Sequence, residues 1–387
     1  TRESKGLLIE ESRTNINVTT TFRRSNVNRF GMNSADEQNA GENTNGVVSP
    51  VGTAKGVARA FFTGSESDPT GSVYLMASTS GSDGATFSNT NTHTSSVWIR
   101  TGLETVFKMQ AHSQYASASA GGSADTIDFT FTLTGDGTVT SIESGGIAAS
   151  VTKYPNNWYR CTFTYHRNST SSVTSSYGVI VYPVNYASYN SNSVNGDIFW
   201  VWGPQVETGT FATSYIPTYG LAATRGKDLA EIDGEEFTEF FNQTEGTINC
   251  AYWLGDDNAA MRVFQINDSN NSVIDIVAGS GSGSGGYGYV STGGVAQANG
   301  GQSSTNANYL NNLHVTTLAY KANDIAGINR NTGVLTTDTS ATLDGAYNRV
   351  TFYQGSTGAD QLNGHLQRVQ YYPKRLPDNQ LKNLNNQ

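Results

Sequence analysis

Apolar and polar positions alternate with a period of two in short stretches along nearly the whole chain, and clusters of Gly, Ser, Asn and Asp separate them. The pattern predicts strands at Ser72–Ser78, His93–Arg100, Thr105–Ser113, Thr126–Thr134, Trp158–His166, Tyr177–Val184 and Asp197–Val206. In Trp158–His166, Tyr159, Cys161, Phe163 and Tyr165 fall on one face; Arg160, Thr162, Thr164 and His166 fall on the other. Cys161 therefore reads as a small core residue. The rhythm breaks around Thr213–Asp228, and a second series follows: Thr247–Leu254, Arg262–Asn267, Ser272–Ala278, His314–Tyr320, Ile325–Asn329, Arg349–Gln354 and His365–Tyr372. One helix is expected at Pro377–Leu384, with Pro in its first turn and Leu381 and Leu384 on one side. The break divides the chain into domains at 1–220 and 221–387. The Gly/Ser tract Gly279–Gly288 reads as a long loop tip of the second.

Composition narrows the class. Only 14% of the 387 residues are Asp, Glu, Lys or Arg, against about 25% in an average domain, and Gly occurs 42 times and Tyr 20 times. Gly, Ser, Thr and Asn are middling or poor helix formers, whereas aromatic and β-branched residues suit a pleated, half-buried surface. The expected fold is all-β, two consecutive antiparallel β-sandwiches of jelly-roll type. No apolar run approaches the ~20 residues of a membrane-spanning helix. A net charge of −9 argues against nucleic acid, whose phosphates require Lys and Arg. The excess is concentrated late: residues 226–387 hold 9 basic and 16 acidic side chains. Two cysteines, Cys161 and Cys250, do not make a disulfide framework. The opening Thr1-Arg2-Glu3 carries no signal peptide and reads as though cut from something longer.

Three stretches carry a resemblance. Gly6-Leu7-Leu8-Ile9-Glu10-Glu11-Ser12-Arg13-Thr14-Asn15 is similar to an entry motif of many phage tail and fibre proteins. Trp202-Gly203-Pro204-Gln205-Val206-Glu207, followed by Thr213-Ser214-Tyr215-Ile216-Pro217-Thr218, resembles the close of the same module. Asn363–Leu376 looks like the last strand of a concanavalin A-like (laminin-G-like) domain. The resemblance implies a carbohydrate-binding-module-like sandwich over 1–220 and a lectin-like sandwich over 221–387. It also implies a place on a virion appendage, at the extracellular virion surface, as a homotrimer beside other virion proteins. Independently of it, Trp200 and Trp202 alternate so as to share one sheet face. Arg13, Arg225 and Glu207 stand at module edges, in positions that allow pairing across the junction; structural use is the reading preferred for these anchors.

Catalytic chemistry is sparse. Glu231-Ile232-Asp233-Gly234-Glu235-Glu236 would put three carboxylates on one strand face, an arrangement resembling the E-x-D-x-E of laminarinase-type glycosidases. Gly234 after Asp233 reads instead as a turn, and the carboxylates as solvated. No G-x-S-x-G elbow, phosphate-binding loop or zinc-ligand spacing occurs, so no cofactor is expected. Asp256, Asp257, Asp268 and Asp275 have the oxygen chemistry calcium prefers but no EF-hand spacing, and are read as polar loops. Sugar recognition wants flat aromatic faces together with amides and carboxylates for hydroxyls. Tyr186 and Tyr189 amid Asn, and Tyr287 and Tyr289 on the Gly-rich tract, are the candidate carbohydrate-binding residues. The reading is a non-enzymatic phage fibre or appendage protein that adheres to host-surface polysaccharide. The alternatives are a structural fibre without glycan binding, and a secreted glycosidase or lyase using Glu231, Asp233 and Glu235.

Overall fold

The computed structural model describes residues 5–17, 23–24, 47–52, 57–62, 75–78, 92–114, 125–166, 175–185, 196–218, 221–255, 261–268, 271–278, 286–300, 312–330, 333–343, 345–352 and 361–387. The fold is all-β, and every pairing between its strands in these residues is antiparallel. Contacts group the chain into two compact units, one of residues 13–225 and the other of residues 1–12 with 226–387. This differs from a single cut near residue 220. Residues 7–9 form a strand that pairs with Gly364–Tyr372, more than 350 residues away in sequence, and short-range pattern carries no trace of such a pairing.

The unit of residues 13–225 is a sandwich. One sheet runs, in spatial order, Gly146–Tyr154, Trp158–His166, Thr92–Thr101, Gly196–Thr208 and Ala58–Phe62. The other runs Arg23–Arg24, Leu75–Ser78, Ser175–Pro183, Val106–Gln114, Asp125–Thr132 and Thr138–Ile142. Inward residues of both sheets, including Val97, Ile99, Phe107, Phe129, Cys161, Phe163 and Val201, make one core. Cys161 is the small core residue its alternation predicts. On the other face of the first sheet Trp98, Trp158, Trp200 and Trp202 cluster with Tyr154 and Tyr215, and Arg160 lies over the Trp98 ring at 4.4 Å.

The fibre-like motifs of this unit prove to be a buried polar joint. Asn15 Oδ1 accepts from the backbone N–H of Val206 at 3.1 Å, and Asn15 Nδ2 donates to the Ile216 carbonyl at 2.8 Å. Gln205 Oε1 accepts from the Ile216 N–H at 2.7 Å, while its amide donates to Glu207 at 2.6 Å. Glu207, fully buried, also accepts from the backbone N–H and the hydroxyl of Thr213. Burial raises its pKa, and the hydrogen bonds from Thr213 and Gln205 and the charge of Arg160 act against that rise. Arg13 and Arg225 stand directly opposite each other in the two-stranded pair Arg13–Asn15 with Ala223–Arg225.

The second unit is also a sandwich. One sheet runs Leu7–Ile9, Gly364–Tyr372, Glu245–Leu254, Leu313–Lys321, Ile325–Asn329 and Leu335–Asp338. The other comprises β1 (Glu231–Asp233), β2 (Met261–Asn267), β3 (Val273–Ala278), β4 (Tyr287–Thr292), β5 (Val295–Gly300) and β6 (Arg349–Thr351), in the spatial order β1-β6-β2-β3-β4-β5. Ile248, Cys250, Leu318, Ile266, Ile274, Ile276 and Val290 fill the space between them. Two short helices complete the unit: α1 (Gly234–Phe240), which buries Phe237, and α2 (Asp378–Asn385). Helix α2 follows Pro377 and packs Leu381 against Ala319, Ala326 and Ile328, on the outer face of the first sheet. The predicted C-terminal helix is therefore present, with Leu381 and Leu384 buried.

Candidate functional site

The outer face of the β1–β6 sheet is built by alternation. Inward residues Ile266, Ile274, Ile276, Val290, Ala298 and Val350 belong to the core, so the residues between them point outward. Strand register then sets one row straight across all six strands. Glu231 faces Thr351, Thr351 faces Gln265, Gln265 faces Asp275, Asp275 faces Tyr289, and Tyr289 faces Asn299. Tyr287, one outward step along β4, faces Val277.

Of the tract Gly279–Gly288 expected as a loop tip, residues 279–285 lie outside the described residues, and its last two residues begin β4. Gly288 is a strand residue between Tyr287 and Tyr289. The glycines face inward because the opposing sheet comes too close for side chains. A Cβ on Gly288 would lie 2.6 Å from Leu318 Cδ1. One on Gly286, whose φ is +125°, would collide with the Tyr252 hydroxyl. The Gly286 carbonyl accepts from Asn329 Nδ2 at 3.2 Å, and Asn329 also donates to Thr316, which bonds the Tyr252 hydroxyl at 3.0 Å. This buried group fixes the start of β4 and leaves Tyr287 and Tyr289 half-buried on the outer face.

Beside the tyrosines lies a charge pair. Arg262 Nε is 3.0 Å from Asp275 Oδ2, and the Asp275 side chain is wholly buried. Burial pushes the Asp275 carboxyl up to about 7, although the Arg262 guanidinium and the Gln265 amide favour its charged form. Burial also raises Tyr287; Arg262 pulls it back, and Asp275 and Tyr289 add to the rise. A relay of neutral groups continues the row. Asn267 Nδ2 donates to Gln265 Oε1 at 3.0 Å and to Thr351 Oγ1 at 3.1 Å, and Asn267 Oδ1 accepts from Arg349 Nε at 2.8 Å. Thr351, Gln265 and Asp275 are buried within this network, and the surface offers the two half-buried rings for stacking and the Asn267 and Asn299 amides for hydrogen bonding.

The carboxylate candidates do not share one strand face. Glu231 and Asp233 are exposed on β1, but the strand ends there and Glu235 belongs to α1. Asp233, Gly234, Glu235, Thr238, Asn348 and Arg349 line an open depression of about 560 Å³. Glu231 and Asp275 are three strands apart, roughly 14 Å at ~4.8 Å per strand. That exceeds the ~5–5.5 Å and ~6.5–9.5 Å separations of retaining and inverting glycosidase pairs.

Other sequence candidates divide. Tyr186 and Tyr189 lie outside the described residues; Asn185, just before them, is held by buried Glu104, which accepts from its backbone and side-chain nitrogens at 2.9 and 3.1 Å. Asp256 and Asp257 also lie outside them. Asp268 accepts from the Ser272 N–H, and Asp275 belongs to the Arg262 pair. Among the described residues no three His, Cys, Asp or Glu side chains gather as a metal site. Reasoning from the sequence missed Arg262 and Gln265; their signal is a polar residue on the outward positions of an otherwise apolar strand.

No protein-family model matches this chain, and no curated protein matches it in sequence. Similar solved structures include a single-site variant of NanB sialidase from Streptococcus pneumoniae, with TM-score 0.32 and 12% identity over 40% of this chain and 26% of that one. Domains LG4-5 of the mouse laminin alpha1 chain match with TM-score 0.30 and 10% identity over 74% and 83%. Trypanosoma rangeli sialidase in complex with sialic acid matches with TM-score 0.29 and 8% identity over 85% and 60%. The chain thus spans about a quarter of the pneumococcal sialidase.

Proposed function

We propose that this chain is an adhesive part of a phage virion fibre or appendage, and that the outer face of the β1–β6 sheet binds host-surface polysaccharide without cleaving it. The observation that carries the reading is the row Thr351–Gln265–Asp275–Tyr289–Asn299 with Tyr287 alongside, rings and polar groups fixed on one sheet face. Tyrosine supplies an apolar ring with a polar tip and few rotatable bonds, so little entropy is lost on contact. The entry and closing motifs support the virion assignment, the extracellular location and a homotrimeric assembly with other virion proteins. That the strand ends at Asp233 and Glu235 belongs to α1, so that the three carboxylates do not share one strand face, supports binding over hydrolysis.

The test is cell adsorption and polysaccharide cleavage measured on the same protein preparations. Tyr287→Ala with Tyr289→Ala is expected to weaken adsorption while wild type releases no reducing sugar. Cleavage by wild type that is lost in Glu231→Gln or Asp233→Asn would establish the enzyme reading. Adsorption unchanged in the tyrosine variants would leave a structural fibre.

A further inference from the structure

We infer that the ligand of this face is a neutral, hydroxyl-rich polysaccharide and not one carrying carboxylate or sulfate groups. The inference rests on the binding reading above and adds the chemical class of the sugar. Across β1–β6 the charged residues are Glu231, Asp233, Asp275, Arg262 and Arg349, three carboxylates against two guanidiniums. Both guanidiniums are engaged: Arg262 by Asp275 at 3.0 Å, and Arg349 by the Asn267 side-chain oxygen at 2.8 Å.

An anionic sugar would compete with Asp275 for the Arg262 guanidinium, whose charge the pair at 3.0 Å already offsets in part. Long-range attraction is also missing. Residues 226–387 carry 9 basic and 16 acidic side chains, so a polyanion is repelled on approach. Half-buried Asn267 and exposed Asn299 supply donors and acceptors without net charge on the same face. Amides and hydroxyls beside two rings suit sugar hydroxyls and C–H surfaces.

The experiment measures binding of the full chain to dextran, galactan and mannan, and to dextran sulfate, alginate and polygalacturonate. Binding is read at ionic strengths from roughly 0.05 to 0.5 M, where the screening length falls severalfold. The expected result is retention on a neutral polymer, changing less than about twofold with salt and lost in Tyr289→Ala. Tyr289→Phe, which keeps the ring, is expected to retain binding, and unchanged melting temperatures verify folding. Binding confined to the acidic polymers, weakening with salt and lost in Tyr289→Ala, overturns the neutral-ligand inference but preserves the site. Binding to any polymer that is indifferent to both tyrosines overturns the site itself. Binding to none of the six overturns the inference.

Discussion

Arg262 and Asp275 meet at 3.0 Å on adjacent strands, with the carboxylate wholly buried and the guanidinium partly exposed. The Asp275 carboxyl is raised to about 7 from an ordinary value near 3.9. A raised folded-state pKa means that the native protein holds this proton more tightly than the unfolded chain does. The stabilisation is fully present below about pH 4 and is lost as pH rises through about 7. Asp275→Asn removes the titration. Urea-unfolding free energies of wild type and variant, compared at a series of pH values, should move in the variant's favour across that window and level off above it. A difference independent of pH would show that Asp275 titrates normally.

Gly286 is a point of close approach between the two sheets of its unit. Gly286→Ala forces a side chain onto the Tyr252 hydroxyl at a positive φ, and should cost about 1–3 kcal/mol or more. Asn329→Ala should cost about 1–3 kcal/mol, because the buried Gly286 carbonyl loses its donor. Both changes act at the start of β4, so thermal unfolding and glycan binding should weaken together.

Glu207 tests the joint built from the fibre-like motifs. Glu207→Ala strips acceptors from the Thr213 N–H, the Thr213 hydroxyl and the Gln205 amide. A loss of about 3 kcal/mol is expected from leaving these buried groups unpaired. Calorimetry should show the unfolding transition of the 13–225 unit at lower temperature, while binding that depends on Tyr289 persists. Unchanged unfolding would mean that the network carries no stability.

Much of this was legible in the sequence, and the failures have physical causes. Trp158–His166 matches its predicted bounds because its inward residues are large and its outward ones polar. The start of Tyr287–Thr292 falls in the Gly279–Gly288 tract read as loop, because inward Gly288, required by the close approach of Leu318, erases the hydrophobic alternation. The strands Thr138–Ile142 and Gly146–Tyr154, each at the edge of its own sheet, went unread because much of each is exposed, with little apolar signal. The Glu231–Glu235 stretch was half legible: the end of the strand before Gly234 was foreseen, the helix that Gly234 opens was not. Tyr287 and Tyr289 were singled out for their ring chemistry, whereas the role of Asp275 depends on Arg262 and Gln265, which only the folded register brings alongside.

Surface carboxylates should be silent. Glu231→Gln, Asp233→Asn and Glu235→Gln remove solvated charges, and each should change stability by no more than about 0.5 kcal/mol. Adsorption should be unaffected, as read by the fraction of cells bound.

The most direct measurement places two variants in one adsorption assay, the Tyr287→Ala/Tyr289→Ala pair and the Glu231→Gln/Asp233→Asn/Glu235→Gln triple. Each lost ring contact is expected to cost on the order of 1 kcal/mol, or roughly fivefold in affinity. The tyrosine pair should therefore bind the polysaccharide about 25-fold more weakly at an unchanged melting temperature, while the carboxylate triple binds as wild type does. Wild-type affinity in the tyrosine pair, with loss of binding or of cleavage in the carboxylate triple, would contradict the account.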